Sequence, residues 1–183
     1  MTALEYALFD TEIGRCGVAW GAWGIAGLQL PESREARTRA RVQERFPEAR
    51  EAAPPPAIQR SLEAIVALLR GEAADLSEVP LDMREVPPFH RRVYAAARTI
   101  PAGSTASYGE IAAKVGAPKS ARAVGQALGR NPFAIIVPCH RVVAAGGKLG
   151  GFSAGGGATT KQRMLAIERA RPTGAPDLFD TLG

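Results

Sequence analysis

Residues 107–129 read SYGEIAAKVGAPKSARAVGQALG and set the architecture of the second half of the chain. Ser107 followed three residues later by Glu110 has the spacing of a capping box, in which each side chain bonds the other residue's backbone N–H. Gly116 ends that helix, and a short turn leads into a second helix, predicted over residues 121–129. A helix, a short Gly-containing turn and another helix form the helix-turn-helix pattern.

The second of these helices has an outer face of unusually small residues. Its core-facing positions are Ala121, Val124 and Leu128. The opposite face carries, at helical spacing, Arg122, Gly125, Gln126 and Gly129. Glycine inside a helix costs up to about 1 kcal/mol relative to alanine. Two of them on one face indicate that a large partner, such as a DNA backbone or groove, approaches closely.

Downstream of the helices, the block PCHRVV at residues 138–143 places Cys139 beside His140. The apolar run FAIIV at residues 133–137 predicts a buried strand that ends just before the cysteine. A thiol becomes a strong nucleophile as the thiolate, which a nearby base or positive charge favours. The alternative is a small core cysteine beside a hydrogen-bonded histidine, which is the commoner situation for an arbitrary pair.

The first half of the chain predicts a small antiparallel sheet followed by helices. Short strands are expected at residues 6–9, 16–20 and 24–30. Helices are expected over residues 32–49 and 58–69, with three prolines between them.

Prolines between residues 79 and 88 predict a linker and a domain boundary at about residue 85. The predicted fold class is α+β. A small antiparallel-sheet domain with helices covers residues 1–85, a mostly helical domain with the helix-turn-helix covers residues 86–170, and residues 171–183 form a tail.

A closing helix, predicted over residues 159–170, places Glu168 on its apolar face. A buried carboxylate without a partner is costly, so an imidazole is one expected companion. An exposed position, with pairing to Arg169 or Lys161, is the alternative that the spacing leaves open.

Charge is divided unevenly along the chain. Residues 1–85 carry 10 Lys and Arg against 14 Asp and Glu, and residues 86–183 carry 13 against 4, so the net charges are −4 and +9. A basic half of this kind favours a polyanionic partner, with nucleic acid the leading candidate. A solvated basic surface is the alternative.

Composition excludes several classes of protein. No segment approaches the roughly 20 apolar residues that span a bilayer, and no signal peptide is predicted, so a cytoplasmic protein is expected. Two cysteines, Cys16 and Cys139, are too few for a disulfide framework. A structural zinc site would need both of them together with His90 and His140. We expect neither a metal nor a cofactor.

Six motifs match one family in order and spacing. They are IPAG at 100–103, SYG at 107–109, SARAVG at 120–125, NP at 131–132, PCHRVV at 138–143 and GFS at 151–153. They resemble the O6-alkylguanine-DNA alkyltransferases, also called methylated-DNA–protein-cysteine methyltransferases. The match is strong over about residues 86–170, and the first half resembles the family's ribonuclease-H-like domain more loosely.

The resemblance implies repair of alkylated DNA in a single turnover. Members of the family flip a damaged guanine out of the duplex and transfer its O6-alkyl group irreversibly to a cysteine, which Cys139 matches. His140 matches the base, which acts through a water, and Glu168 matches the carboxylate that orients the imidazole. The implied partner is double-stranded DNA containing O6-alkylguanine, bound by a monomer, with O4-alkylthymine left open as a second substrate.

The resemblance also implies roles for residues outside that relay. Tyr108 matches the residue that crowds the target's phosphate and protonates the departing guanine. Arg122 matches the arginine inserted into the base stack, and Asn131 matches the residue that ties the recognition helix to the active-site turn. Further DNA contacts are expected from Ser120, Ala121, Gly125, Gln126 and Arg130. The substrate pocket is expected to be lined by Ala134, Val142, Phe152 and Ser153.

Three departures from the family pattern concern this pocket. Phe152 stands where many members have tyrosine, and Ala134 stands where some have proline. The stretch from 152 to 161 is two residues longer than in the common pattern, with three glycines at 155–157. We expect the longer loop to make a roomier pocket that accepts bulkier alkyl groups.

Two other functions remain as alternatives. The first is a non-catalytic alkylation-damage sensor or DNA-binding regulator. Relatives of that kind have the cysteine replaced, so the intact Cys139 argues against it. The second is a thiol hydrolase that uses Cys139 and His140, which would leave the helix-turn-helix and the charge division unexplained.

Overall fold

The first strands form an antiparallel meander. The computed structural model describes residues 3–147 and 157–169. In it β1 is Glu5–Thr11, β2 is Gly14–Gly21 and β3 is Gly24–Gln29. A two-residue strand, β4 at Arg50–Glu51, pairs in parallel with β1, so the sheet order is β3-β2-β1-β4. The three predicted strands are confirmed.

Helices cover both faces of this sheet. Helix α1, Glu35–Arg45, closes one face through a small cluster of Tyr6, Ala19 and Val42. Helix α2, Pro56–Leu69, packs on the opposite face as part of the main core. Helix α1 is shorter than predicted, because the proline that follows Phe46 disfavours helical geometry there.

In the described part of the second half, the helices are α3 Pro88–Arg98, α4 Tyr108–Lys114, α5 Ala121–Gly129 and α6 Gly157–Ile167. The capping box of Ser107 and Glu110 is present at the start of α4, as predicted. Strand β5, Ala106–Ser107, pairs in parallel with β6, Val142–Val143. The observed architecture is therefore mixed α+β, as predicted.

The prediction of a strand over residues 133–137 is wrong. The segment is a tight buried turn, in which Val137 N bonds the Phe133 carbonyl at 2.9 Å and Ile135 has a φ of 73°. A β-branched residue in this left-handed region carries backbone strain, of order 1–3 kcal/mol. Continuous apolarity reports burial but not extension, so a buried turn and a buried strand share this pattern.

The two halves of the chain share one continuous core. Leu28 N in β3 bonds the Pro132 carbonyl at 2.9 Å, and Asp82 N bonds the Ile25 carbonyl at 2.8 Å. Arg45, at the end of α1, donates to the Leu28 and Pro132 carbonyls, both at 3.0 Å. The first half therefore supports the segment that leads into the Cys139 turn.

Candidate active site

A short 3-10 turn, Cys139–Arg141, presents the thiol and the imidazole. It follows directly on the buried 133–137 turn, and Arg141 N bonds the Pro138 carbonyl at 2.9 Å. Strand β6 comes next and pairs with β5, whose Ser107 caps α4. The pairing of β6 with β5 on one side of the 3-10 turn, and the buried 133–137 turn on the other, hold Cys139 close to the start of α4.

Glu168 reaches this turn from the end of α6. Its Oε1 lies 2.8 Å from His140 Nε2, and the two side chains are 3% and 1% exposed. Arg141 binds the same carboxylate through Nε at 3.0 Å and Nη2 at 2.8 Å. Of the two companions considered for Glu168, the imidazole is the one observed, and a guanidinium joins it.

This arrangement sets the tautomer of His140. Burial alone would raise the pKa of Glu168, but the hydrogen bonds from His140 and Arg141 outweigh it and lower the pKa to about 2. The carboxylate is therefore an acceptor, so Nε2 of His140 carries a proton. Burial lowers the pKa of His140 despite the pull of Glu168, and the ring is neutral near pH 7. Nδ1, which has no partner among the described residues, then offers a lone pair to a proton.

Asn131 links the end of α5 to the Cys139 turn. Its Nδ2 donates to the Val137 carbonyl at 3.0 Å, and its Oδ1 accepts from Phe133 N at 2.9 Å. Burial raises the pKa of Cys139, and a hydrogen bond with the Asn131 side chain opposes that rise. The thiol thus needs a base to become a strong nucleophile at neutral pH.

Tyr108 lies between α5 and the thiol. It is the first residue of α4 and is half-buried, and an ideal Cβ on Gly125 would lie 3.8 Å from its ring. Burial raises the pKa of Tyr108, and the nearby Cys139 raises it further. The phenol is therefore protonated at neutral pH and can donate a hydrogen bond beside the thiol.

The outer face of α5 is open, as its small residues predict. Arg122, Gln126 and Arg130 are exposed, whereas Ser120, Ala121 and Gly125 are half-buried. A Cβ on Gly129 would meet nothing within 4 Å, and one on Gly125 would make only ordinary contacts. Packing among the described residues therefore does not require a glycine at either position. Their role as DNA contacts stays a prediction.

The expected pocket residues fall into two groups. Ala134 and Val142 are buried beside the Cys139 turn. Phe152 and Ser153 are the other two expected pocket residues, and the glycines at 155–157 belong to the longer loop that is expected to make the pocket roomier. The loop up to residue 156 lies outside the described residues, and Gly157 begins α6.

Sequence reasoning missed the role of two cations. Arg141 holds Glu168 and also donates to the Ile100 carbonyl at 2.7 Å. Lys161, considered above as an exposed partner of Glu168, is instead 1% exposed and donates to the Val142 carbonyl at 2.7 Å. For Arg141, its place in the PCHRVV block was the only sequence feature that pointed to a role in the site. No sequence feature predicted the burial of Lys161, because that burial depends on how α6 packs.

Within residues 3–147 and 157–169, no three His, Cys, Asp or Glu side chains are grouped to hold a metal ion. None of the helices in those same ranges has the length and apolarity to cross a membrane.

Comparison with known proteins gives consistent matches. Residues 88–170 match the family described as 6-O-methylguanine DNA methyltransferase, DNA binding domain. A methylated-DNA–protein-cysteine methyltransferase of Mycolicibacterium paratuberculosis is 40% identical over 177 residues, covering 97% of this chain and 99% of the relative. A Mycobacterium tuberculosis protein of the same name is 48% identical over 126 residues, covering 69% of this chain and 74% of the relative. The crystal structure of Mycobacterium tuberculosis OGT in complex with DNA has a TM-score of 0.73 and 37% identity, covering 98% of this chain and 99% of that one.

Proposed function

The chain belongs to the methylated-DNA–protein-cysteine methyltransferase family, and we therefore propose that it repairs DNA by direct reversal, taking the alkyl group of O6-alkylguanine onto Cys139. One observation carries the proposal. Beside the thiol, a neutral imidazole is held by Glu168 through Nε2 at 2.8 Å, which leaves its Nδ1 lone pair as a base. Nucleophile, base and orienting carboxylate are the parts that activation of a weak nucleophile requires.

The reaction balances without a cofactor. His140 Nδ1 accepts the thiol proton through a water, and the Cys139 thiolate attacks the alkyl carbon. A C–S bond forms as the bond from that carbon to O6 breaks, and the electron pair leaves with the guanine. Guanine takes up one proton from Tyr108, the nearby donor, and the proton taken from the thiol by His140 then restores the phenol, so the thiol proton ends on guanine. The thioether product is stable, so each molecule acts once.

We assign duplex binding to the basic second half of the chain. Extruding a base costs a few kcal/mol, which a plug in the vacated stack offsets, and Arg122 is exposed on α5 for that role. The small residues Gly125 and Gly129 let α5 approach the minor groove closely. Contacts to phosphates supply most of the affinity, which falls steeply with salt. We place the protein in the cytoplasm as a monomer, where Cys16 and Cys139 stay free thiols.

A labelled substrate separates this proposal from its alternatives. We expect incubation with duplex DNA carrying labelled O6-methylguanine to place one equivalent of label on Cys139, found by peptide mass spectrometry. Binding without label would instead indicate a damage sensor or regulator. Release of more than one equivalent of product would indicate a hydrolase.

Two cysteine variants provide the matched control. Cys139→Ser should abolish transfer and keep duplex affinity, since the thiolate does the chemistry and the basic helices supply affinity. Cys16→Ser should leave transfer intact, because burial raises the pKa of Cys16 to about 12 and keeps it unreactive. Loss of both binding and transfer in Cys139→Ser would contradict this division.

A further inference from the structure

A groove of about 750 Å³ opens at the junction of the two halves of the chain, and we call it the junction groove. Strand β3 contributes Ala26 to its lining, the end of α1 contributes Arg45 and Phe46, and the second half contributes Pro132 and Phe133. No residue of the proposed thiol, imidazole and carboxylate relay lines it. Its volume and its mainly apolar lining are typical of pockets that bind small organic ligands.

Trp23 stands at the rim of the junction groove with most of its surface in water. The residue is 60% exposed, and no other large apolar side chain is exposed in the described parts of the chain. Arg84 places its guanidinium 5.1 Å from the centroid of the Trp23 ring and so covers one face. The rest of the indole is free to stack on a planar ring of a ligand.

Neighbouring residues hold Trp23 in place without any ligand. Asp82 accepts two hydrogen bonds from Arg84, at 2.9 and 2.8 Å, and is itself bonded to β3 through its backbone N–H at 2.8 Å. Gly24, next to Trp23, has a φ of 107°, and a Cβ there would lie 2.5 Å from the Pro80 carbonyl oxygen. A rim that is already ordered loses little freedom when a ligand binds.

Arg45 gives the junction groove a positive charge that no carboxylate balances. Its partners are neutral groups, namely the carbonyls of Leu28 and Pro132, the side-chain oxygen of Gln29 and the ring of Phe46. Among the described residues, no Asp or Glu forms an ion pair with Arg45. An anionic group of a ligand would therefore be favoured at this end of the groove.

Glu85 supplies the groove with a carboxylate that is free to accept hydrogen bonds. The carboxylate of Asp82 is committed to Arg84. Glu85 is exposed, and no cation of the described chain lies within ion-pair distance of it. The pKa of Arg84 is raised, first by its hydrogen bond to Asp82 and more weakly by Glu85, so Glu85 lies near the Trp23 rim. Carboxylates accept hydrogen bonds from ribose hydroxyls in many nucleotide sites.

We propose that the junction groove binds a nucleoside monophosphate, whose base stacks on Trp23, whose phosphate compensates Arg45 and whose ribose hydroxyls donate to Glu85. The three parts of such a ligand match the three groups that the groove leaves without a partner, which are a ring face, a cation and an acceptor. An aromatic carboxylate would lack the hydroxyl donors. This site is separate from Cys139 and does not depend on the proposed alkyl transfer.

Calorimetric titration of the full chain with adenosine monophosphate tests the site in the absence of DNA. We expect a Kd of about 1 mM or tighter, with adenosine and inorganic phosphate each binding at least about fivefold more weakly. Trp23→Ala should weaken binding of the nucleotide at least about fivefold, and Trp23→Phe should keep most of it. Trp23 is exposed, so both variants should fold. No binding, unchanged affinity in Trp23→Ala, or adenosine that binds as tightly as the nucleotide would overturn the proposal.

Two further measurements place the ligand within the groove. The chain has two tryptophans, and in NMR spectra the nucleotide should shift the indole N–H signal of Trp23 but not that of Trp20, which is 4% exposed. Glu85→Ala should weaken binding at least about threefold, whereas Glu63→Ala, at an exposed site of α2, should match the wild type. An unmoved Trp23 signal, or equal or tighter binding in Glu85→Ala, would overturn the proposal. None of these readouts involves alkyl transfer, so their failure would leave the proposed function standing.

Discussion

Glu168 is the residue that organises the candidate site. Its carboxylate accepts from His140 and twice from Arg141, so one side chain sets the tautomer of the base and compensates a buried guanidinium. Removing one partner from such a cluster leaves another charge buried without compensation, which costs more than the lost bond.

Glu168→Gln should therefore destabilise the protein in a pH-dependent way. The pKa of Glu168 lies at about 2 instead of 4.5, so its contribution is present above pH 4.5 and is lost as the pH falls towards 2. The depression corresponds to about 3 kcal/mol. Urea unfolding should show a gap of that order from wild type at pH 7, shrinking through the acid range. Glu63→Gln, at an exposed site, should show no gap, and a pH-independent gap in Glu168→Gln would contradict this account.

Arg122→Ala tests base extrusion at the same scale. The exposed guanidinium is assigned to the vacated stack, so its loss should slow repair of a duplex about 10-fold or more, because extrusion costs a few kcal/mol. Attack on free O6-benzylguanine should change little. The two rates are compared by single-turnover kinetics, and equal slowing would argue against a role in flipping.

At the scale of elements, the proposed role of α5 gives up some helix stability for close approach to DNA. A glycine in the middle of a helix weakens it, and the structure has room for a Cβ at Gly125. Helix α6 has a different task, because it carries both Lys161 and Glu168 to the Cys139 turn. Helix α5 thus presents small residues to the outside, whereas α6 supplies side chains to the internal cluster around the Cys139 turn.

Gly125→Ala should make the protein more stable and less active. The added methyl group should raise the free energy of unfolding by up to about 1 kcal/mol, measured by urea titration. It should also weaken binding to an undamaged duplex, measured by fluorescence anisotropy, because the methyl group stands on the face of α5 that we propose meets DNA. Ala113→Gly, at an exposed position of α4, is the control for helix propensity. Unchanged or tighter duplex affinity in Gly125→Ala would refute the close-approach interpretation.

Across the whole molecule, the acidic first half serves the basic second half as a support. The core is continuous between them, and Arg45 bridges the Leu28 and Pro132 carbonyls directly before the buried turn. Burial lowers the pKa of Arg45, and Arg41 lowers it further. Arg45 as a whole residue is exposed, so its guanidinium bonds carbonyls of both halves at the edge of their junction.

Arg45→Met should loosen this junction. Loss of charged donors to two carbonyls should lower the free energy of unfolding by about 1.5–3 kcal/mol and slow alkyl transfer, with duplex affinity preserved. Arg41→Met, on the exposed side of α1, should cost less than about 1 kcal/mol. An unfolding curve for Arg45→Met that matches Arg41→Met would show that the bridge contributes little.

Local features of this protein follow from local sequence. The capping box at Ser107, the hairpin strands, and the stop of α1 near Phe46 each depend on residues within a few positions of one another. Cys139 and His140 are consecutive residues, so the sequence alone predicts a thiol beside an imidazole. Short-range steric and hydrogen-bonding preferences suffice for such features.

Other features of the site depend on packing between distant segments of the chain. Glu168 lies 28 residues from His140, and spacing alone left its partner open between an imidazole and surface cations. The burial of Lys161 and the left-handed turn at Ile135 likewise follow from the neighbours that the folded chain places around them. Hydrophobic pattern reports how buried a residue is, whereas the identity of its partner depends on contacts between distant segments, which form only when the core closes.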